Sequence, residues 1–167
     1  MALEVKLAGP EPRWDLPGQR TKNGENHVVP LVPATVALFK KARAMSGRSP
    51  YIFSSNETED GILGEYTARQ AILRLFEQGK LMGRRFKPKD LRTTVKTGMA
   101  RLGVPREVRD AVQNHKPQGI GDKAYNMHDY LPELRKALHL WSDHVLKLVA
   151  NIPAPRGASP EKNRRRR

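Results

Sequence analysis

Apolar positions along the chain change period several times, and each change marks an element. Leu3, Val5 and Leu7 alternate with Glu4 and Lys6, the two-residue period of a strand. Arg13-Trp14-Asp15-Leu16 gives a second strand, closed by Pro17-Gly18. Val28-Val29-Pro30-Leu31 gives a third. Before it stands Asn23-Gly24, a pair suited to a type I′ hairpin turn, whose two central residues need positive φ. Lys22 then sits at the rim of a small sheet. The period lengthens from Pro33 to Ser46, where Val36, Phe39, Lys40 and Arg43 form an amphipathic helix that Gly47 can close. Tyr51-Ile52-Phe53 reads as a short buried strand, and Ser54 to Gly64 as polar turns. Thr67 to Gln78 returns to helical spacing through Ala71, Ile72, Leu75 and Phe76, and Gly79 to Lys87 is basic and irregular.

The second half is more regular. A helix is predicted from Pro88, a residue suited to a first helical turn, with Leu91, Val95, Gly98, Met99 and Leu102 as its apolar stripe and Gly103 as its end. Pro105 opens another, in which Val108, Ala111, Val112 and His115 follow the helical repeat. On that spacing alone His115 continues an apolar face as a partly buried core histidine. Pro117, Gly119 and Gly121 break the pattern, and 122–127 predicts a short helix carrying Tyr125. Leu134, Leu138, Trp141, Val145 and Leu148 define a long helix over 131–150. From Asn151 to Arg167 the chain turns Pro-, Gly- and Arg-rich and ends in four arginines, the composition of a disordered basic tail. The expected class is therefore α+β and mostly helical, a small antiparallel sheet packed on a helical bundle.

Composition narrows the partners. The 167 residues suffice for one domain with a core, and 38% of them are hydrophobic. The formal net charge is +14 and the sequence pI about 10.4, an excess that favours an anionic partner, nucleic acid foremost. No apolar run approaches the ~20 residues of a membrane span, and the opening Met1-Ala2-Leu3-Glu4 has no signal-peptide pattern. Cysteine is absent, which excludes disulfides and cysteine-ligated zinc, and the five histidines form no HExxH pattern. No metal or other cofactor is expected, and the expected location is the cytoplasm. From Arg84 to Arg109 nine residues are basic and two acidic. Lys89, Arg92 and Lys96 lie off the apolar stripe at i, i+3 and i+7 and can share one helix face. Such a face is either solvated or laid against a phosphate backbone.

Several residues together favour the second alternative. Lys22 stands in a hairpin turn before Val28-Val29-Pro30-Leu31. Lys89-Asp90-Leu91-Arg92 opens a helix, Arg101-Leu102-Gly103-Val104-Pro105 ends it, Asn114-His115 follows, and Ala124-Tyr125-Asn126 comes ten residues after His115. This order and spacing resembles the catalytic domain of the tyrosine recombinases, or phage-type integrases, over roughly residues 13–145. Tyr130 and Trp141 are also similar to a second tyrosine and a Trp-bearing helix in integrases of that family.

The resemblance implies a tyrosine-recombinase-like fold, residues 1–150 being part of a catalytic domain and 151–167 a tail. It implies site-specific recombination of double-stranded DNA through a 3′-phosphotyrosyl intermediate, without metal or ATP. Tyr125 would be the nucleophile, with Tyr130 its rival. Arg92 would clamp the scissile phosphate, Lys22 would protonate the leaving 5′-hydroxyl, and His115 would hydrogen-bond the phosphate. Lys89 stands where the family usually has histidine; a lysine still donates to a phosphate but is a poor base at neutral pH. Arg84, Arg85, Lys87, Lys96 and Lys116 are expected along the DNA backbone. The family's further arginine, on a helix upstream of the hairpin lysine, has no counterpart, since Arg13 and Arg20 lie too close to Lys22. The chain therefore reads as truncated at its N-terminus, with activity reduced by ~10²–10³ or lost, the usual consequence of removing one such cation. The family's assembly implies a homotetramer on DNA through the segment after Tyr125. The alternatives are a non-catalytic DNA-binding module and a basic RNA-binding protein; the latter accounts for the charge but not for the Lys-Arg-His-Tyr order.

Overall fold

A computed structural model describes residues 4–55, 58, 61–64, 66–115 and 130–152. Its three strands, β1 (Val5–Lys6), β2 (Arg13–Leu16) and β3 (His27–Pro30), form one antiparallel sheet in that order. Trp14 pairs with Val5 on one side and Val29 on the other, and Leu16 pairs with His27. The carboxylate of Asp15 takes the Lys6 ammonium at 2.7 Å and the Arg13 guanidinium at 2.9 Å. The hydrogen bond from Lys6 is the main reason its pKa falls below the ordinary carboxylate value.

The β2–β3 connection departs from the expected two-residue turn. It runs over residues 17–26 and contains a 3₁₀ turn at Gly18–Arg20. Gly18 is buried there; a Cβ at that position would overlap the Gly24 carbonyl oxygen, so only glycine fits. The Gly18 amide donates to Asn26 Oδ1 at 2.8 Å. Lys22 and Asn23 are the central residues of a turn in which the Gly24 amide donates to the Thr21 carbonyl at 3.3 Å. Gly24 has φ of +76°, but Asn23 does not have positive φ, so this is not a type I′ turn.

Among the described residues five α-helices follow: α1 (Pro33–Met45), α2 (Thr67–Glu77), α3 (Pro88–Arg101), α4 (Arg106–Val112) and α5 (Leu131–Ala150). Proline in the first turn of α1, α3 and α5 costs no helical hydrogen bond, because those amides lack an intrahelical acceptor. At α3 the Lys87 amide donates to Asp90 Oδ2 at 2.8 Å, which satisfies another donor and fixes the start. Gly103, with φ of +78°, ends α3 and lets the Val104 amide reach back to the Met99 carbonyl at 3.0 Å.

The core lies where α3, α4 and α5 meet. Met99, Val104, Val108, Leu134 and Ala137 are buried, with Val95, Tyr130, Leu138 and Trp141 packed around them. Burial of side chains of this size contributes roughly 1.5–3 kcal/mol each for the larger ones. Trp141 lies on Gly98, where an added Cβ would overlap the indole ring, so the missing side chain is what lets α5 approach α3. The sheet packs on this bundle through β3 against α5. The architecture is thus mainly helical with a small three-stranded antiparallel sheet.

Two further expectations fail in detail. Residues 51–53 form no strand: they are bends, Ile52 is buried, and Phe53 is 56% exposed. An apolar triplet becomes a strand only with a neighbour to pair with, and the nearest pairing is a single bridge between Ser54 and Ile62. Leu91, assigned to the α3 stripe, is 51% exposed, because that stripe reaches the core only from Val95 onward. The expected helix at 122–127, with Tyr125 and Lys116, lies outside the described residues, as does the tail beyond Ile152. Among the described residues no helix is long and apolar enough to cross a membrane.

Candidate functional site

The face of α3 opposite its apolar stripe carries Lys89, Arg92, Thr93, Lys96 and Thr97. Together with Gln113 and His115 these residues line a shallow groove of about 260 Å³. The helical repeat aligns the α3 residues. A chain reversal aligns the other two. Helix α4 stops at Val112, and Asn114 takes φ of +53°, a left-handed conformation that asparagine tolerates better than most residues. The His115 amide then donates to the Asp110 carbonyl at 2.9 Å. This reversal turns His115 out of the α4 face. Its side chain is 43% exposed, which corrects the core placement that spacing alone gives.

Arg92 joins the two walls. Its Nη2 donates to the Gln113 carbonyl at 2.5 Å and meets His115 Nε2 at 2.9 Å. Gln113 Nε2 returns a hydrogen bond to the Arg92 carbonyl at 2.8 Å. A guanidinium only donates, so in this contact His115 Nε2 is the acceptor. His115 Nδ1 lies 3.5 Å from Asp110 Oδ1. Asp110 also forms an ion pair with the Lys96 ammonium, and Arg106 Nε lies 3.5 Å from its other oxygen. The Lys96 hydrogen bond, opposed by desolvation and reinforced by the Lys96 charge and by the hydrogen bond from His115, lowers the Asp110 pKa. The groove floor is therefore a chain of polar groups, Lys96–Asp110–His115–Arg92, with an excess of donors toward solvent. Arg109 braces it from behind, donating from Nε to the Val104 carbonyl at 3.1 Å.

The hairpin connection reaches the same place. Asn23 Nδ2 donates to Asn114 Oδ1 at 3.0 Å, and Asn114 Nδ2 donates to Asn23 Oδ1 at 3.4 Å. Lys22 is exposed beside the first member of this pair, and His115 follows the second. Below them His27 of β3 is half-buried against the Val112 carbonyl; desolvation pushes its pKa down despite that acceptor.

A second basic cleft of about 670 Å³ lies between α2 and the start of α3. Arg69, Leu73, Arg84, Arg85, Phe86, Lys87 and Asp90 line it. Phe86 is held edge-on to Phe76 of α2, with ring centroids 5.7 Å apart. Arg84, Arg85 and Lys87 thus converge on one cleft, and Lys96 turns to Asp110. Tyr130 packs against the core at the start of α5. Arg69 and Gln113 line these clefts, and Asp110 holds Lys96, with no sequence signal to mark them; Asn114 stood out only as the residue before His115.

Arg92 and His115, which are 23 positions apart, are therefore in direct contact beside Lys89, and an amide pair links the Lys22 turn to that end of the groove. No protein-family model matches the chain, and no solved structure matches it. Over 132 residues, 79% of its length, the chain is 28% identical to prophage integrase IntA of Escherichia coli strain K12. That match spans 31% of the relative's length.

Proposed function

We propose that the chain is part of a DNA breaking-and-rejoining enzyme of the integrase type. The observation that carries this reading is the contact between Arg92 and His115 on a groove lined with further cations. A guanidinium suits the non-bridging oxygens of a phosphodiester, where charge grows during displacement, and His115 can donate to them once its Nε2 carries a proton and no longer accepts from Arg92. The similarity to a prophage integrase supports the same reading. The whole activity, which involves DNA partners and a multimer assembled through the segment after Tyr125, belongs to the proposal.

In this mechanism a DNA phosphate takes the Arg92 donors now directed at His115 and the Gln113 carbonyl. The Tyr125 hydroxyl attacks phosphorus and its proton passes to solvent. The new bond is tyrosine oxygen to phosphorus; the bond that breaks is phosphorus to the 5′-oxygen. That oxygen leaves with a proton from the Lys22 ammonium. The phosphotyrosyl bond conserves the energy of the broken one, so reversal with another 5′-hydroxyl rejoins the strand. Lys89 adds a cation and no base. Residues along the second cleft, Arg69, Arg84, Arg85 and Lys87, bind flanking phosphates.

A second reading, a DNA-binding module without catalysis, is favoured by Lys89 at the position where the resemblance expects histidine. One experiment separates the two. The chain is incubated with nicked duplex DNA and run on a denaturing gel beside Tyr125→Phe and Tyr130→Phe. An adduct lost only in Tyr125→Phe supports the enzyme. A salt-sensitive native-gel shift with no adduct supports the module. Neither adduct nor shift sinks both.

A further inference from the structure

Asn114 has two unusual properties at once. It is the non-glycine residue with positive φ among the described residues, and its amide exchanges two hydrogen bonds with an amide 91 positions away. Glycine would satisfy the backbone at 114, so the conformation alone does not call for asparagine. The side chain is needed only for the pair with Asn23. Asn23 is equally committed: its Oδ1 also accepts from the Glu25 amide at 3.2 Å, which locks the side chain to its own turn. Both asparagines are half-buried, whereas Lys22 is exposed.

We infer that the Asn23–Asn114 pair is a positioning clasp that holds the Lys22 turn at the His115 end of the groove. This rests on the reading above, in which Lys22 serves a DNA phosphate. A lysine has a long, freely rotating side chain, so its ammonium is only as well placed as the backbone that carries it. The base of the hairpin is fixed by the β2–β3 pairing and by His27 against Val112. Among the described residues the tip has no sheet partner. Two neutral amide hydrogen bonds there, each contributing modestly in net terms, are enough to bias one orientation of a tip whose alternatives are all solvated. Displacement of a reacting group by even 1 Å is costly to a phosphoryl displacement, so the clasp acts through Lys22 rather than on the DNA itself.

The test is a mutant cycle on DNA binding, which needs no turnover. Affinity for a short duplex is measured against salt for the wild type, Lys22→Ala, Asn114→Gly and the double variant; Asn114→Gly keeps the left-handed backbone and removes only the amide. One phosphate contact accounts for about 0.9 of the slope of log affinity against log salt. The expected result is a slope smaller by about that amount in Lys22→Ala, an equal loss in Asn114→Gly, and no further loss in the double variant. Asn23→Ala, which leaves the backbone at 114 untouched, should behave like Asn114→Gly even if the latter lowers the melting temperature. A Lys22→Ala effect of undiminished size in the Asn114→Gly and Asn23→Ala backgrounds overturns the clasp and leaves the role of Lys22 standing. No effect of Lys22→Ala in the wild type overturns the role of Lys22 and the clasp with it.

Discussion

Helices α2 and α3 begin from similar sequence material, and the structure uses them differently. Each has an apolar stripe at helical spacing and a basic opposite face. In α3 the stripe meets α4 and α5, and Met99 falls to 1% exposure. In α2 no residue is buried, although Ala71, Ile72, Leu75 and Phe76 make the stripe as regular. The same holds for α1, whose Phe39 touches Phe53 edge-on at 5.7 Å without either ring being buried. Amphipathic spacing is thus enough to form a helix, but a core needs a second surface of matching shape. The region around α3 has one: Gly98 accepts Trp141, and Ala137 and Val108 fill the remaining space. Around α1 and α2 the described residues bury Leu31, Val32 and Ile52 and little else.

The difference can be tested by truncation. Met99→Ala is expected to have the largest effect, about 2–5 kcal/mol, read as a lowered midpoint in urea unfolding. Gly98→Ala comes next. At an open helix position that change would stabilise by about 1 kcal/mol, but here the new methyl collides with Trp141. A loss of about 1–3 kcal/mol is expected, and pairing it with Trp141→Leu should recover part of the loss. Phe39→Ala in α1 should cost less than either, about 1 kcal/mol, in line with an exposed aromatic pair. If Phe39→Ala matched Met99→Ala, the two regions would not differ in the way described.

The smallest effect concerns pH. His27 titrates below its ordinary value because β3 buries it against α4. Its unfolded value is about 6.5. The neutral ring's contribution is therefore complete above that pH and is lost as pH falls through the lower folded value. The melting temperature should drop on acidification from neutrality, and His27→Gln should flatten that part of the profile. An unchanged slope in the variant would mean that burial of His27 does not couple the sheet to the helices.

The sequence disclosed much of this arrangement because the relevant physics is local. Pro88 and Gly103 mark the ends of α3, the 131–150 repeat marks α5, and Arg13–Leu16 alternates as a strand should. The shared face of Lys89, Arg92 and Lys96 followed from helical geometry alone. What stayed hidden depends on residues far apart. His115 continues the α4 spacing and belongs to the core by that rule, yet the backbone at Asn114 turns it into the groove. Asn23-Gly24 has the composition of a tight turn, but the side chain of Asn23 is engaged by a partner that no local rule can supply. Asp110 became visible only when Lys96 and His115 were seen on either side of it.

The β2–β3 connection has a dynamic consequence. Apart from the Arg20–Glu4 ion pair and the Asn23–Asn114 pair, its residues are joined to one another: Arg20 to Pro17, Thr21 to Gly18 and to Glu25, Gly24 to Thr21, and Gly18 to Asn26, around a glycine that admits no side chain. Such a segment is expected to swing as a block about its junctions with the sheet rather than fray one amide at a time. Relaxation-dispersion NMR should therefore find the amides from 18 to 26 sharing a single exchange rate, with a larger exchange contribution once Asn114 is replaced by glycine.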